Sequence, residues 1–144
     1  MSIIVNTTVL SNFAVIDHLN LLHQLYSHIY IPTEVYREIK QGLEEGYRFY
    51  EGIDQFIDPF VDDGWIHLIG VSDKQEFQLL ERLLQHLHQG EAACLAIANH
   101  RDWLFLTDDA AARREARRLG VRKSGSVGCL VLAIERGLCT LKEA

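Results

Sequence analysis

The sequence predicts an α/β protein, a three-layer sandwich in which helices cover both faces of a mainly parallel central sheet. Two observations lead to this fold class. Short apolar runs typical of buried strands alternate with longer segments of helical spacing, and this alternation is typical of strands joined by crossover helices. The chain has 144 residues, no internal repeat and no low-complexity linker, so we expect one domain, residues 1–144.

The N-terminal region predicts the first strand and two helical segments. Ile3–Val5 is a short apolar run that predicts a buried strand. Thr7 and Thr8 are suited to cap the helix that follows it, because their hydroxyls accept hydrogen bonds from the first turn. Apolar residues then continue at helical spacing through residues 18–25.

The middle of the chain supplies two more strands with an irregular segment between them. Ile29–Ile31 predicts a strand that ends at Pro32, and Thr33 then caps a helix. Residues 47–60 are less regular, and residues 47–65 hold six of the 13 aromatic residues. We interpret these rings as a satellite core, with a partner-binding surface as the alternative. The strand-like run Ile66–Ile69 follows.

Two contrasting helices come next. Asp73 caps an amphipathic helix that Gly90 breaks, and Glu91 opens an alanine-rich helix that can approach a sheet closely. Apolar spacing predicts the buried face of the amphipathic helix, which consists of Phe77, Leu80, Leu84 and Leu87.

The last third of the chain alternates strand and helix twice more. Leu104–Leu106 predicts a buried strand, and a helix runs from the pair Asp108–Asp109 to Gly120. Residues 121–123 form a final short strand in this scheme, and Gly125 leads the last helix. The predicted apolar stripe of that helix consists of Val127, Leu130, Val131 and Ile134.

Composition limits the function classes. With 14 Lys and Arg against 20 Asp and Glu the formal charge is −6, which excludes a generally basic coat for nucleic acid. The exception is residues 113–123, where six basic residues face one acid. The three cysteines form no C-x-x-C pair, the N-terminal apolar run is too short for a signal peptide, and no membrane-length apolar run occurs. We therefore expect a reduced, cytoplasmic protein without a membrane span.

Acidic and amide side chains collect where the predicted strands end or the helices begin. They are Asn6, Glu38, Glu91, Asp108 and Asp109. Because crossover helices run antiparallel to the strands, their N-termini lie at the carboxyl edge of the sheet, where open sheets bind ligands. Carboxylates gathered there repel one another unless a cation holds them, and oxygen-only ligands suit Mg²⁺ or Mn²⁺. Such an ion activates water and stabilises charge on a phosphoryl group.

Each acid also has a purely structural interpretation. Asp108, Asp109 and Glu91 lie in first helical turns, where the helix dipole favours an acid and Asp is a good cap. Glu38 has basic neighbours on its own helix and could be a solvated partner of one of them. Residue pattern alone leaves both interpretations open.

Four segments, in order along most of the chain, carry a resemblance to a known family. They are Ile3–Leu10, Ile31–Glu38, Gly90–Ala93 and Leu106–Asp109, the last flanked by Ala112-Arg113, Leu119-Gly120 and Gly125–Gly128. In this order they resemble the acidic motifs of the PIN-domain metal-dependent nucleases, particularly the VapC-like toxins of bacterial and archaeal toxin–antitoxin pairs. The resemblance implies a Mg²⁺- or Mn²⁺-dependent endoribonuclease, often a homodimer, that a partner antitoxin protein keeps silent.

The resemblance also implies roles by position. Glu38 and Glu91 would be catalytic metal ligands, and Asp108 and Asp109 compete for the fourth acidic place. Two threonines, Thr8 and Thr107, would hydrogen-bond a ligand or a water.

The basic residues between 113 and 123 fit the expected ribonuclease function. Arg113, Arg114 and Arg117 would lead the backbone of an RNA substrate toward the acids. The alternative is a solvated helix face whose arginines near the C-terminus are favoured by the helix dipole.

Asn6 is the one departure from the family pattern, because the family has Asp there. The Asn carbonyl still offers an oxygen to a metal, but one negative charge is lost and the side chain cannot act as a base. We therefore expect weakened metal binding. The alternative function is a catalytically weakened or inactive PIN-like binding module.

Two other chemistries have less support. The pair His86-x-His88 near Glu91 invites a zinc site, but no H-E-x-x-H motif occurs and an i, i+2 pair does not share a helical face. A phospho-receiver domain also has a doubly wound sheet, but it needs an acid pair near the first strand, and the adjacent acids Asp108-Asp109 lie late in the chain.

Overall fold

The computed structural model describes residues 2–140 and contains a central sheet of six strands. The strands are β1 (Ile3–Val5), β2 (Ile29–Pro32), β3 (Ile57–Asp58), β4 (Ile66–Ile69), β5 (Leu104–Leu106) and β6 (Lys123–Ser124). Their order is β3-β4-β2-β1-β5-β6 and every pairing is parallel. The predicted domain also includes Met1 and residues 141–144, which lie outside the described residues.

Helices cover both faces of this sheet. They are α1 (Thr7–Val15), α2 (Leu19–Tyr26), α3 (Thr33–Glu44), α4 (Lys74–Leu83), α5 (Gln89–Arg101), α6 (Ala110–Leu119) and α7 (Ser126–Glu135). Helices α1, α2 and α7 pack together, while α3, α4 and α6 surround α5, which contacts β1, β2 and β5. The predicted α/β sandwich with a parallel sheet is thus confirmed.

Helix α5 is the centre of its layer because its side chains are small. Every residue from Ala92 to Ala98 is buried, so the helix is apolar all round and enclosed by the sheet and three neighbouring helices. The predicted break at Gly90 is wrong in position. Helix α4 already ends at Leu83, and Gly90 lies inside the first turn of α5.

Two predicted helix caps are also wrong. Asn6, not Thr7 or Thr8, caps α1, and its Oδ1 accepts the backbone N–H of Thr8 at 2.9 Å. An amide reaches the second helical N–H as well as a hydroxyl does, so the cap position moves one residue back. Thr33 is the first residue of α3 rather than its cap.

The buried faces of two helices differ from the predicted ones. On α4 the buried residues are Glu76, Leu79 and Leu83, whereas Phe77 and Leu84 are exposed. The helix is rotated because Glu76 turns inward to His100 and Arg101 at the end of α5. A buried carboxylate of this kind is invisible to a pattern of apolar spacing.

The predicted buried face of helix α7 is also wrong, but for a different reason. Its buried residues are Cys129 and Ala133, while Val127 and Val131 of the predicted stripe are exposed. Small side chains let α7 approach α1 and α2 closely, and small residues contribute little to an apolar pattern. Cys94 is also buried, as expected of a small hydrophobe.

The region between β2 and β4 contains elements that the sequence did not indicate. Two 3₁₀ turns, Arg48–Tyr50 and Ile53–Phe56, precede β3, whose two residues are too few to show a period. Of the six aromatic residues here, Tyr50 and Trp65 are buried, so the satellite-core interpretation holds for them. The other four rings are exposed.

The last strand lies slightly later than predicted. Residues Lys123 and Ser124 form β6, instead of residues 121–123, and Thr107 N–H donates to the Ser124 carbonyl at 2.9 Å. Among residues 2–140, the helices are all too short or too polar to cross a membrane.

Candidate active site

The candidate site lies where the strand order reverses. The chain builds the sheet outward from β1 through β2 to one edge, and then through β5 and β6 to the other. Ligands bind outside the carboxyl ends of strands at such a switch point. Asn6 follows β1 and Thr107 follows β5, so these two residues face each other across the junction.

Asn6 is only 1% exposed and both ends of its side chain are engaged. The backbone N–H of Thr8 can only donate, so the atom that faces it is the carbonyl oxygen Oδ1. This oxygen also accepts the Thr8 hydroxyl at 2.6 Å, which occupies both of its lone pairs. The amide nitrogen Nδ2 therefore faces Thr107 and donates to its Oγ1 at 2.7 Å.

The two threonines tie Asn6 to the acid pair. Thr107 Oγ1 accepts the Asp109 N–H at 3.1 Å, and Thr8 Oγ1 accepts the Asp108 N–H at 3.1 Å. Both hydroxyls are therefore committed to holding the loop after β5 against the start of α1. The structure brings Thr8 and Thr107 into the site, as connectors between Asn6 and the acid pair.

Asp108 and Asp109 point to different places. The Asp108 carboxylate accepts Ser126 N–H at 2.7 Å and Asn12 Nδ2 at 2.6 Å, and the Ser126 hydroxyl also donates to it. It thus binds the first residue of α7 and links α7 to α1. Asp109 caps α6 by accepting Ala112 N–H at 2.8 Å through Oδ2, and its Oδ1 has no hydrogen-bond partner within residues 2–140.

Glu38 and Glu91 meet at the beginning of α5. Glu38 Oε1 accepts the Gly90 N–H at 3.0 Å, and its Oε2 accepts the Thr7 hydroxyl. A Cβ on residue 90 would overlap the Glu38 carboxylate, so glycine is needed for this approach. Glu91 Oε2 accepts the His88 N–H at 3.3 Å. Sequence reasoning missed the roles of Thr7 and Gly90, although both adjoin predicted site residues.

The charges of these acids influence one another, although Glu91 also belongs to the capping box of α5 and Asp109 caps α6. Burial raises the pKa of Glu91, and the negative charges of Asp109 and Glu38 raise it further against the effect of the His88 N–H. Within residues 2–140, no Lys or Arg forms an ion pair with Glu38, Glu91 or Asp109. These three carboxylates form an uncompensated negative cluster, and Asp108 lies apart from it.

The donor chemistry of this acid cluster suits a hard divalent cation. Its candidate ligand atoms are carboxylate oxygens, which Mg²⁺ and Mn²⁺ prefer, and a cation would offset their mutual repulsion. In the part of the chain that the structure describes, no group of three or more His, Cys, Asp or Glu side chains meets the geometry of a metal site. Asn6 adds no charge to the cluster, and its Oδ1 already accepts two hydrogen bonds from Thr8.

The basic stretch divides into two parts. Arg113 turns toward the site and donates from Nη1 to the Thr107 carbonyl at 3.0 Å. Arg114 and Arg117 are exposed on α6 and form no hydrogen bond or ion pair among the described residues, whereas Arg118 pairs with Glu115. The structure therefore brings one predicted arginine to Thr107 and Asp108 and leaves the other two on the solvent face.

Comparisons with known proteins agree with this architecture. A family model described as PIN domain matches residues 2–144. The structure resembles VapBC2 from Rickettsia felis, solved with a DNA fragment from its promoter, at a TM-score of 0.60 and 15% identity over 87% of this chain and 98% of that one. It also resembles PAE2754 from Pyrobaculum aerophilum, with a TM-score of 0.55 and 12% identity over 92% and 97% of the two chains. No curated protein sequence matches.

Proposed function

The chain belongs to the PIN-domain family, and from that premise we propose that it is a metal-dependent endoribonuclease, the toxin of a toxin–antitoxin pair. The observation that carries the proposal is the acid cluster of Glu38, Glu91 and Asp109. Its carboxylates lie at the ligand-binding edge of the sheet, without a basic partner among the described residues, and the pKa of Glu91 is raised.

In this proposal Glu38, Glu91 and Asp109 hold Mg²⁺ or Mn²⁺. When bound, the ion supplies an activated water and stabilises the charge that develops on an RNA phosphodiester. Thr7 and Gly90 fix the Glu38 carboxylate by donating to both of its oxygens. These bonds orient the ligand before an ion arrives, which reduces the loss of entropy on binding.

Asp109 is the better candidate than Asp108 for the fourth acidic place. The Asp108 carboxylate points to Asn12 and Ser126 at the start of α7, and it is not among the charges that shift the pKa of Glu91. Asp109 keeps one oxygen free of hydrogen bonds within residues 2–140 and raises the pKa of Glu91. Asp108 would then position the helices around the site without touching the ion.

The substrate and partners complete the proposal. Arg114 and Arg117 on the solvent face of α6 would contact RNA phosphates, while Arg113 braces the loop that carries Asp109. The neighbour from Rickettsia felis is named as VapBC2, and this supports a cognate antitoxin for the present chain. We further propose a cytoplasmic homodimer.

A second candidate function rests on Asn6. Its carbonyl oxygen accepts two hydrogen bonds from Thr8, and its amide donates to Thr107, so this side chain stabilises the site without an ion. Such a closed network favours a PIN-like binding module that has lost catalysis. The two candidates differ in whether the remaining carboxylates suffice to bind Mg²⁺.

Cleavage of single-stranded RNA with and without Mg²⁺ tests the first candidate. We expect Mg²⁺-stimulated cleavage by the wild type and none by Glu91→Gln, because the variant loses a ligand charge but keeps its acceptor for the His88 N–H. Glu81→Gln, an exposed change on α4, is the matched control and should cleave normally. Equal cleavage by the wild type and Glu91→Gln contradicts the assignment of the site.

Asn6→Asp separates the two candidates. The added charge should raise Mg²⁺ affinity by at least about tenfold in calorimetry, since oxygen sites for this ion depend on ligand charge. A wild type that neither binds Mg²⁺ nor cleaves RNA, together with a variant that binds the ion, establishes the binding module. Efficient cleavage by the wild type rejects it.

A further inference from the structure

A concavity opens beside Glu38, one residue of the acid cluster. It has a volume of about 260 Å³ and lies between the start of α1, the exposed face of α3 and the 3₁₀ turn that follows α3. Thr7 and Glu38 belong both to this concavity and to the candidate active site. The concavity therefore borders the acid cluster at Glu38, and a polymer bound at the acids could place its next unit there.

One wall of the concavity is aromatic. The rings of Tyr47 and Phe49 stack with centroids 5.7 Å apart and planes inclined by 18°, and Phe49 in turn contacts Tyr50 at 4.6 Å. Tyr50 is buried and its hydroxyl bonds Ser11 on α1, which anchors the wall. Tyr47 is 52% exposed and Phe49 37% exposed, so ring surface remains available to a ligand.

Gly42 allows the aromatic wall to pack closely against α3. A Cβ on Gly42 of α3 would lie 3.1 Å from the Tyr50 ring and 3.2 Å from the Tyr47 ring, closer than ordinary van der Waals contact. The absence of a side chain at residue 42 thus lets both rings rest against α3. This close packing holds the aromatic wall at a defined distance from Glu38, four residues earlier on the same helix.

The charge of the concavity selects among ligands. The lining residues include Glu38 and Glu45 but no Lys or Arg, so a phosphate group would be repelled from its interior. Gln41 donates its amide to Glu45, which leaves the Gln41 carbonyl and a Glu45 oxygen as acceptors. A flat, uncharged ring that carries amino groups satisfies both the aromatic face and these acceptors.

We propose that this concavity binds a nucleobase of single-stranded RNA, stacked on Tyr47, while the adjoining phosphodiester lies at the acid cluster. The inference rests on the proposed function and adds a subsite that positions the strand for cleavage. Stacking on an aromatic ring tolerates every base, because every base has a π-face, and the acceptors then favour bases with an amino group. Tyr47 is a contact to the base outside the acid cluster.

The test measures binding without cleavage. A fluorescent single-stranded hexaribonucleotide with phosphorothioate linkages, which resist hydrolysis, is titrated with protein in Mg²⁺, and affinity is obtained from anisotropy. Tyr47→Ala should weaken binding by about tenfold, while Tyr47→Phe, which keeps the ring, should stay within about twofold of the wild type. Phe60→Ala removes another exposed ring, which packs on Tyr36 outside the concavity, and should have no effect.

An abasic strand of the same length identifies what Tyr47 contacts. This strand keeps every phosphate and lacks the bases, so Tyr47→Ala and the wild type should bind it equally. An equal loss on the intact and abasic strands overturns the proposal. The absence of any loss on either strand also overturns it.

The outcome is independent of the proposed catalytic function. A base-dependent loss of affinity in Tyr47→Ala supports the subsite even if Mg²⁺-stimulated cleavage is never detected. Conversely, cleavage by the wild type with unchanged RNA affinity in Tyr47→Ala supports the catalytic proposal and rejects the subsite. Urea unfolding of Tyr47→Ala should match that of Phe60→Ala, which excludes a general loss of folding as the cause.

Discussion

The two ends of helix α5 hold acids in opposite electrostatic situations. At the C-terminal end, Glu76 of α4 is 1% exposed and accepts hydrogen bonds from Arg101 Nε at 2.8 Å and His100 Nδ1 at 2.7 Å. At the N-terminal end, Glu91 faces the like charges of Asp109 and Glu38. A compensated acid from α4 therefore lies at one end of α5, and an uncompensated acid cluster lies at the other end.

The difference separates an acid that stabilises the fold, Glu76, from an acid whose charge a bound cation would stabilise, Glu91. Burial raises the pKa of both Glu76 and Glu91, but Arg101, His100 and the Ser72 N–H outweigh it at Glu76 and lower that pKa to about 2. The N-terminal end of α5 offers Glu91 only a helix dipole and one backbone N–H. The fold thus tolerates a repulsion there that a bound cation would remove.

The largest effect should come from breaking the compensated end. Glu76→Ala leaves Arg101 and His100 without their acid in a partly buried setting, and we expect a loss of about 3–5 kcal/mol in the free energy of unfolding. Urea denaturation measures this loss. Glu81→Ala, on the exposed face of the same helix, is the control and should change stability by less than about 0.5 kcal/mol. Similar losses in both variants would show that the ion cluster does not hold α4 to α5.

Acid should remove the same interaction more gradually. Because the folded pKa of Glu76 lies below its ordinary value of 4.5, at about 2, its stabilisation is complete above about pH 4.5 and is lost as the pH falls toward 2. The contribution amounts to about 3 kcal/mol. Urea denaturation between pH 5 and pH 2.5 should show this loss in the wild type and a flatter profile in Glu76→Gln. Parallel profiles would assign acid unfolding to other carboxylates.

The uncompensated end should respond to Gly90→Ala in ligand binding rather than in stability. Alanine favours a helix by up to about 1 kcal/mol over glycine, which offsets the displacement of the flexible Glu38 carboxylate by the new Cβ. Mg²⁺ affinity, measured by calorimetry, should fall by about tenfold because Glu38 loses its orientation. Gly70→Ala, where an added Cβ meets nothing within 4 Å, is the control. Unchanged Mg²⁺ binding would exclude Glu38 as an oriented ligand.

The contrast between the two ends also shows what a sequence can predict here. The strands that precede Asn6 and Asp108 are short apolar runs, and their alternation with segments of helical spacing is sufficient to indicate a parallel sheet and its ligand edge. Glu76 could not be predicted as buried, because its partner Arg101 lies 25 residues away and only the fold unites them. Helix faces that depend on such a pair, or on small residues such as Ala133, were accordingly misplaced.

The candidate active site can likewise be predicted from the sequence only in part. Positions along the chain indicated Glu38, Glu91 and the pair Asp108–Asp109, but the choice within the pair depends on where each carboxylate points. Only the packing of α7 against the loop after β5 reveals that Asp108 binds Ser126. The use of Asn6 as a closed hydrogen-bond hub depends equally on Thr107, which is about a hundred residues distant in the chain.

The smallest predicted effect is the change in stability caused by Glu91→Gln, and it best distinguishes the two ends of α5. Because the folded pKa of Glu91 is raised, ionisation costs more in the folded than in the unfolded state, and stability falls as the pH rises through that pKa. Glu91→Gln removes the charge and keeps the acceptor for His88 N–H, so in EDTA at pH 7 it should increase stability by less than about 1 kcal/mol. Saturating Mg²⁺ should reverse the order, since an ion that binds only the folded wild type stabilises it by mass action. Thermal unfolding with and without Mg²⁺ measures both signs, and Glu76→Gln should be destabilised in each buffer. A Glu91→Gln variant that is less stable in EDTA would reduce Glu91 to an ordinary helix-start acid.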